Sequence, residues 1–258
     1  MKAGIIRHPG TLINSRLFAV CVMCLILFAV NPNDQHRLVV AANRDELYAR
    51  PTTDANYWED HPDILAGRDE DAGGTWLGVN RQGGFAAVTN FREEPPQPLP
   101  PRSRGDLPTR FLKDRPNPAD YAKQINEQGH QFKGFNLLIA DHTNCYYYGN
   151  RAGAPKALSD GYYGLSNQLL DCDWPKVIEG REKLGASIQS GDYAPDVLFE
   201  LLLDHGDKRD FSNSFIAADR YGTRAATVVL IDHDGSVYFE ERNFGESGTQ
   251  LASNVFVY

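Results

Sequence analysis

Apolar and polar positions along this chain fall into short runs that arrive in pairs. Residues 25–30 are followed by 37–42, 75–79 by 84–89, 137–140 by 145–148, and 227–231 by 236–240. The separators, among them Asn80-Arg81-Gln82-Gly83 and Asp232-His233-Asp234-Gly235, are turn formers, so each pair predicts an antiparallel hairpin. Helical spacing appears elsewhere. Residues 118–128 and 175–188 both open on a proline suited to a first turn, and 194–204 sets Val197, Leu198, Leu201 and Leu202 on one face. Residues 254–258 read as a last strand.

Hairpins interrupted by helices predict an α+β layered domain. No βαβ alternation and no phosphate-cradling glycine loop is present, which argues against a doubly wound sheet. The proline-rich stretch 95–101 predicts a stiff surface loop. With no internal repeat and no linker, residues 23–258 are expected to form one domain. The first residues admit a second reading. Lys2, Arg7 and Arg16 precede an apolar stretch, 17–30, of the length of a secretory signal core and too short to span a bilayer. That stretch runs into Asn31-Pro32-Asn33-Asp34 without a small-x-small cleavage site, and its second half is needed as a strand. The only methionines are Met1 and Met23, so residues 1–22 are expected to be an upstream extension outside the fold.

Charge narrows the partners. A net charge of −8 argues against nucleic acid and anionic membranes, both of which need a basic surface. Hydrophobic content of 41% and charged content of 23% describe a globular protein with no stable membrane insertion. The four cysteines, Cys21, Cys24, Cys145 and Cys172, have no CxxC, haem-attachment or zinc spacing, which predicts a reducing, cytoplasmic setting. The histidines are scattered, and neither a metal site nor a cofactor is expected. Nothing in the pattern sets an oligomeric state.

The candidate chemistry sits at Met23-Cys24. If synthesis starts at Met23, removal of the methionine leaves a cysteine with a free α-amine at the head of an apolar strand. A thiol titrates near 8.5 and an α-amine near 7.7–8.0, so one residue would supply nucleophile and base. The competing reading is a core strand with an incidental buried cysteine. If strands 24–30 and 37–43 pair antiparallel, Asn43, Arg44 and Asp45 lie beside Cys24, where a carboxylate would hold the ammonium and a guanidinium would take a substrate carboxylate. Asn43-Arg44-Asp45-Glu46 also reads as a capped strand end on the surface. Thr89-Asn90, Ser166-Asn167 and Arg224 mark other strand ends. Asparagine amides there would serve a developing oxyanion, though such positions also suit turn residues. Trp76 reads equally as core or as substrate platform.

Together Met23-Cys24, Ala42-Asn43-Arg44-Asp45-Glu46, Gly74-Thr75-Trp76-Leu77-Gly78, Thr89-Asn90, Arg104-Gly105-Asp106, Gly134-Phe135-Asn136-Leu137, Tyr148-Gly149-Asn150-Arg151, Tyr163-Gly164-Leu165-Ser166-Asn167 and Tyr221-Gly222-Thr223-Arg224 resemble the NRDE family, also called the transport and Golgi organization protein 2 family. The resemblance covers residues 23–243. It implies a start at Met23 and a four-layer αββα sandwich of two mainly antiparallel sheets flanked by helices, of the N-terminal-nucleophile (Ntn) hydrolase type. It also implies a more distant likeness to bile-salt hydrolases and related cysteine acylases. There an N-terminal cysteine is followed by an Asn-x-Asp element, matched by Asn43 and Asp45. Two later asparagines of that group resemble Asn90 and Asn167, and a late arginine corresponds to Arg224. Eukaryotic relatives are associated with Golgi organisation, haem mobilisation and acyl-coenzyme A or lipid metabolism.

Three functions are therefore expected in rank order. The first is a hydrolase of a small amide or thioester, with Cys24, Asp45, Asn90, Asn167 and Arg224 catalytic and Asn43, Arg44, Glu46 and Trp76 binding substrate. The second is a non-catalytic protein that binds or traffics haem or acyl-coenzyme A. The third is a secreted protein that uses residues 1–30 as its signal.

Overall fold

The computed structural model describes residues 23–93, 95 and 102–258. The expected extension at 1–22, Cys21 and most of the 95–101 loop lie outside the described residues.

The alternating runs form two sheets. The first strands are β1 (Leu25–Val30) and β2 (His36–Leu47), followed by β3 (Thr52–Tyr57), β4 (Ile64–Asp69), β5 (Leu77–Asn80) and β6 (Phe85–Asn90). Two helices, α1 (Asp106–Asp114) and α2 (Pro118–Gln128), precede β7 (Phe135–Ala140), β8 (Cys145–Gly149), β9 (Lys156–Ala157) and β10 (Gly161–Leu165). Then come α3 (Pro175–Ser190) and α4 (Pro195–Leu202), and finally β11 (Tyr221–Asp232), β12 (Val237–Phe244) and β13 (Gln250–Val257). One sheet has the order β10-β1-β2-β11-β12-β13 and the other β3-β4-β5-β6-β7-β8-β9. Every pairing within them is antiparallel.

Three hydrophobic clusters define four layers. Between the sheets, Ile26, Phe28 and Val40 meet Leu77, Phe85 and Leu138. On the outer side of the seven-stranded sheet, Phe111, Leu112, Tyr121 and Ile125 of α1 and α2 cover Ala86, Leu137 and Ile139. On the outer side of the six-stranded sheet, Val177, Leu184, Leu198 and Phe199 of α3 and α4 cover Leu25, Leu27, Ala41 and Val228. The molecule is thus an αββα sandwich, the architecture that the resemblance implies. β1 is covered on both faces, which is why Leu25-Ile26-Leu27-Phe28-Ala29-Val30 is an unbroken apolar run where a one-sided strand would alternate.

The predicted hairpins are present, with shifted ends. β2 is the informative departure. The run 37–42 was expected to stop at the polar residues, yet the strand continues through Asn43, Arg44, Asp45 and Glu46 to Leu47. These residues keep strand geometry because β11 pairs with them, Asp45 opposite Thr223 and Glu46 opposite Gly222. They are not a surface strand end, since Asn43, Arg44 and Asp45 are buried. β3, β4 and α1 were not expected at all.

Candidate active site

Cys24 immediately precedes β1, and Leu25 pairs with Asn43, so antiparallel pairing brings the polar half of β2 beside it. β10 flanks β1 on its other side and ends at Leu165, which delivers Ser166 and Asn167 to the same end of the sheet. Ser166 Oγ donates to the Cys24 carbonyl at 2.6 Å. The seven-stranded sheet arrives through the end of β6. Thr89 Oγ1 donates to Ser166 O at 2.7 Å, and Asn167 Nδ2 donates to Asn90 O at 2.8 Å, stitching the two sheets together here. A register shift between Thr223 and Ala225 leaves Arg224 as an extra residue on β11. Its Nη1 donates to the carbonyls of Leu47, Tyr48 and Arg50.

The peptide before Cys24 is held at both its polar atoms. Met23 N donates to Tyr221 Oη at 2.9 Å, and Lys176 Nζ donates to Met23 O at 2.6 Å. Lys176, 2% exposed, stands at the start of α3. With residue 23 in place the thiol is quiet. Burial, and then the neighbouring Asp45 carboxylate, push it up to about 12, and among the described residues its sulfur reaches only Asp45 O, at 3.9 Å. Asp45 is itself raised to about 6 by burial, against the opposing pull of Lys176, the Thr223 hydroxyl and Arg44. Asp45 Oδ1 accepts from Thr223 Oγ1 at 2.6 Å, whereas Oδ2 is buried with no partner among the described residues.

Beside Cys24 opens a cleft of about 440 Å³. Of the residues singled out from the sequence, Cys24, Arg44, Asp45, Glu46, Trp76, Asn90 and Arg224 line it. Asn43 and Asn167 are not in its lining. Asn43 is directed to the helix layer, where Nδ2 donates to Leu202 O at 2.7 Å and to Ser214 O at 2.8 Å. Asn167 spends its amide on the Asn90 backbone, and its Oδ1, like Asn43 Oδ1, is buried without a partner among the described residues. Glu46 is turned back on its own strand, accepting from Leu47 N at 2.8 Å. Arg44 Nη1 lies 3.4 Å from Thr52 Oγ1, and its Nη2 lies 4.0 Å from Asp69.

Sequence reasoning missed Lys176 and singled out Arg104 only as part of a motif. Lys176 was findable, because it precedes by four residues the buried stripe Gly180, Leu184 and Ile188. Arg104 carries no periodic signal, since it lies before α1. The described residues hold no group of three or more His, Cys, Asp or Glu side chains arranged for a metal. No helix among them is long and apolar enough to cross a membrane.

Comparison with known proteins bears on the family. A family model described as Transport and Golgi organisation 2 matches residues 23–246. The chain is 34% identical over 264 residues to the "Transport and Golgi organization 2 homolog" of Mus musculus, spanning 88% of this chain and 95% of the mouse protein. It is 35% identical over 257 residues to the "Transport and Golgi organization protein 2 homolog" of Homo sapiens, covering 86% and 93% of the two chains. The "Transport and Golgi organization protein 2" of Drosophila melanogaster is 25% identical over 260 residues, covering 85% and 91%. Among solved structures, a Caenorhabditis elegans N-acylethanolamine-hydrolyzing acid amidase ortholog is similar with a TM-score of 0.46 at 11% identity, covering 80% of this chain and 92% of that one.

Proposed function

The chain belongs to the Transport and Golgi organisation 2 family, and from that premise we propose that it is a hydrolase of small amides or thioesters whose nucleophile is Cys24 once the residues before it are removed. The observation that carries this reading is the orphaned Asp45 Oδ2, a buried acceptor beside Cys24 that an α-ammonium would satisfy. Met23 removal creates a neutral α-amine at residue 24, and protonating that amine yields the ammonium. The amine then takes the thiol proton, the sulfur attacks the substrate carbonyl carbon, and negative charge develops on the carbonyl oxygen. Asn90, which lines the cleft, offers its amide to that oxygen, and Asn167 positions Asn90 through its bond to the Asn90 carbonyl. The ammonium returns a proton to the leaving amine or thiol. Water, deprotonated by the same amine, then cleaves the acyl-enzyme thioester and regenerates the thiol. Arg44 and Arg224 receive an acidic group of the substrate, while Trp76 supplies an apolar wall.

A chain starting at Cys24, screened against a panel of small amides and thioesters, is expected to turn over at least one of them, and Cys24→Ala is expected to abolish that turnover. Equal turnover by Cys24→Ala would overturn the proposal.

A specific observation favours a second reading for any form that keeps Met23. There the amide nitrogen is tied to Tyr221 and the thiol is protonated at neutral pH, so the cleft would bind a ligand such as haem or acyl-coenzyme A without turning it over. Free Cys24, Cys145 and Cys172 suit the reducing, cytoplasmic setting that we assign to either form.

A further inference from the structure

Seven cationic side chains line the cleft against five carboxylates, the reverse of the sign of a chain whose net charge is −8. Most of those cations are already answered. Arg50 pairs with Asp69 at 2.7 Å, Arg44 reaches the same carboxylate at 4.0 Å, and Arg68 grips Asp60 through both its terminal nitrogens at 2.8 and 2.9 Å. Arg102 donates to the side-chain oxygens of Gln128 and Gln131 and lies over the Phe132 ring. Arg104 differs from these. Its one hydrogen bond among the described residues runs from Nη1 to Gly134 O at 3.2 Å, and no carboxylate of the described residues lies within ion-pairing distance. Its side chain is half-buried, and burial lowers its pKa, with the Glu93 charge opposing.

The backbone around Arg104 is built for its position. Gly105 packs directly on Gly74, so that a Cβ on Gly74 would stand 2.6 Å from the Gly105 carbonyl carbon and 2.7 Å from its oxygen. Two bare backbones in contact fix the loop before α1 against the segment that carries Thr75 and Trp76. A half-buried guanidinium without a carboxylate is well placed to receive an anion from a ligand.

We propose that Arg104 is a further anion-binding residue of the cleft, joining Arg44 and Arg224 in receiving a carboxylate or phosphate group on a ligand whose reacting carbonyl lies at Cys24. This deepens the hydrolase reading and rests on it for the role of Cys24, but the anion subsite can be tested without turnover. A guanidinium fork matches either oxyanion with two parallel hydrogen bonds. Arg224, on the six-stranded sheet, has only backbone carbonyls as hydrogen-bond partners among the described residues and adds a second positive wall.

Alkylation of Cys24 reads the subsite directly. Iodoacetate and iodoacetamide react with the same sulfur by the same displacement and differ in charge, so the ratio of their rates cancels any change in thiol pKa. With peptide mapping to isolate Cys24 from Cys21, Cys145 and Cys172, the wild-type ratio is expected to exceed that of free cysteine. In Arg104→Gln it falls about tenfold, the size of one charge-assisted hydrogen bond, and Arg104→Lys is expected to retain part of the preference. An unchanged ratio in a folded Arg104→Gln protein overturns the proposal. Should that variant fail to fold, the wild type decides. Sodium acetate or inorganic phosphate should protect Cys24 from neutral iodoacetamide, the more effective of the two identifying the oxyanion, and protection by neither overturns it. An anion preference without turnover of any amide or thioester would count against the hydrolase and leave the subsite standing.

Discussion

Lys176 Nζ stands 2.6 Å from Met23 O, so the peptide bond that precedes Cys24 is held by a buried cation. The same ammonium is the strongest influence drawing Asp45 back toward ionisation. Lys176→Met should therefore move the Asp45 titration further above about 6, readable by carboxyl NMR. It should destabilise the chain at pH 7, where the buried Asp45 carboxylate loses the strongest charge favouring it and must stay ionised or take up a proton. The loss should shrink at pH 5, where Asp45 carries its proton. Equal losses at the two pH values would show that Lys176 and Asp45 are not coupled.

The raised Asp45 pKa has its own signature in a chain that keeps Met23. The unfolded carboxyl titrates near 3.8 and the folded one near 6, so between these values the native state holds a proton that the unfolded state has released. Stability from this group therefore falls as pH rises through that window, by about 3 kcal/mol in total. Urea unfolding of wild type and Asp45→Asn from pH 4 to pH 7 should give a difference that changes by about that amount. In a chain starting at Cys24, the new ammonium stabilises the carboxylate and the window moves toward lower pH.

Thiol reactivity should separate the two forms. With Met23 attached, Cys24 alkylation by iodoacetamide should climb through pH 9 without levelling, as a thiol raised to about 12 requires. With Cys24 first, the adjacent amine should lift the rate at pH 7 well above that of the longer form. Identical profiles would remove the amine from the mechanism.

Asn43 and Asn90 should fail in different ways. Asn43→Ala strips the donor from two buried carbonyls, Leu202 O and Ser214 O, and should cost about 2–3 kcal/mol in unfolding while leaving kcat per folded molecule nearly unchanged. Asn90→Ala should leave the melting temperature close to wild type and lower kcat on any substrate found by about 10²–10³-fold. A large kcat loss in folded Asn43→Ala would return that residue to the site.

β1 was readable from the sequence because it is buried on both faces, and the paired hairpins because turn residues punctuate them. β3 escaped notice for the opposite reason. Thr52-Thr53-Asp54-Ala55-Asn56-Tyr57 is a polar edge strand with one buried residue, and its pairing with β4 is set by a neighbour, not by its own pattern. Polar residues 43–46 looked like a strand end because sequence does not show that Thr223, Leu202 and Ser214 wait to satisfy them. Arg44 and Asp45 were placed beside Cys24 by strand pairing alone, and Asn90 by its strand end and the family resemblance. Arg104 and Lys176 were not, since each acts through what it meets across the fold, and no local period records such a meeting.

The closure over Met23 also sets a clock on synthesis. Tyr221, which captures the Met23 amide, lies 198 residues downstream, and β1 pairs with β10 only after Leu165 exists. At ordinary elongation rates of about 5–20 residues per second, the first residues wait roughly 10–40 s as an unsheltered segment on the ribosome. Any protease or aminopeptidase that is to expose Cys24 has easiest access in that interval. Whichever N-terminus the nascent chain carries when β11 emerges is the one the sheet then seals in.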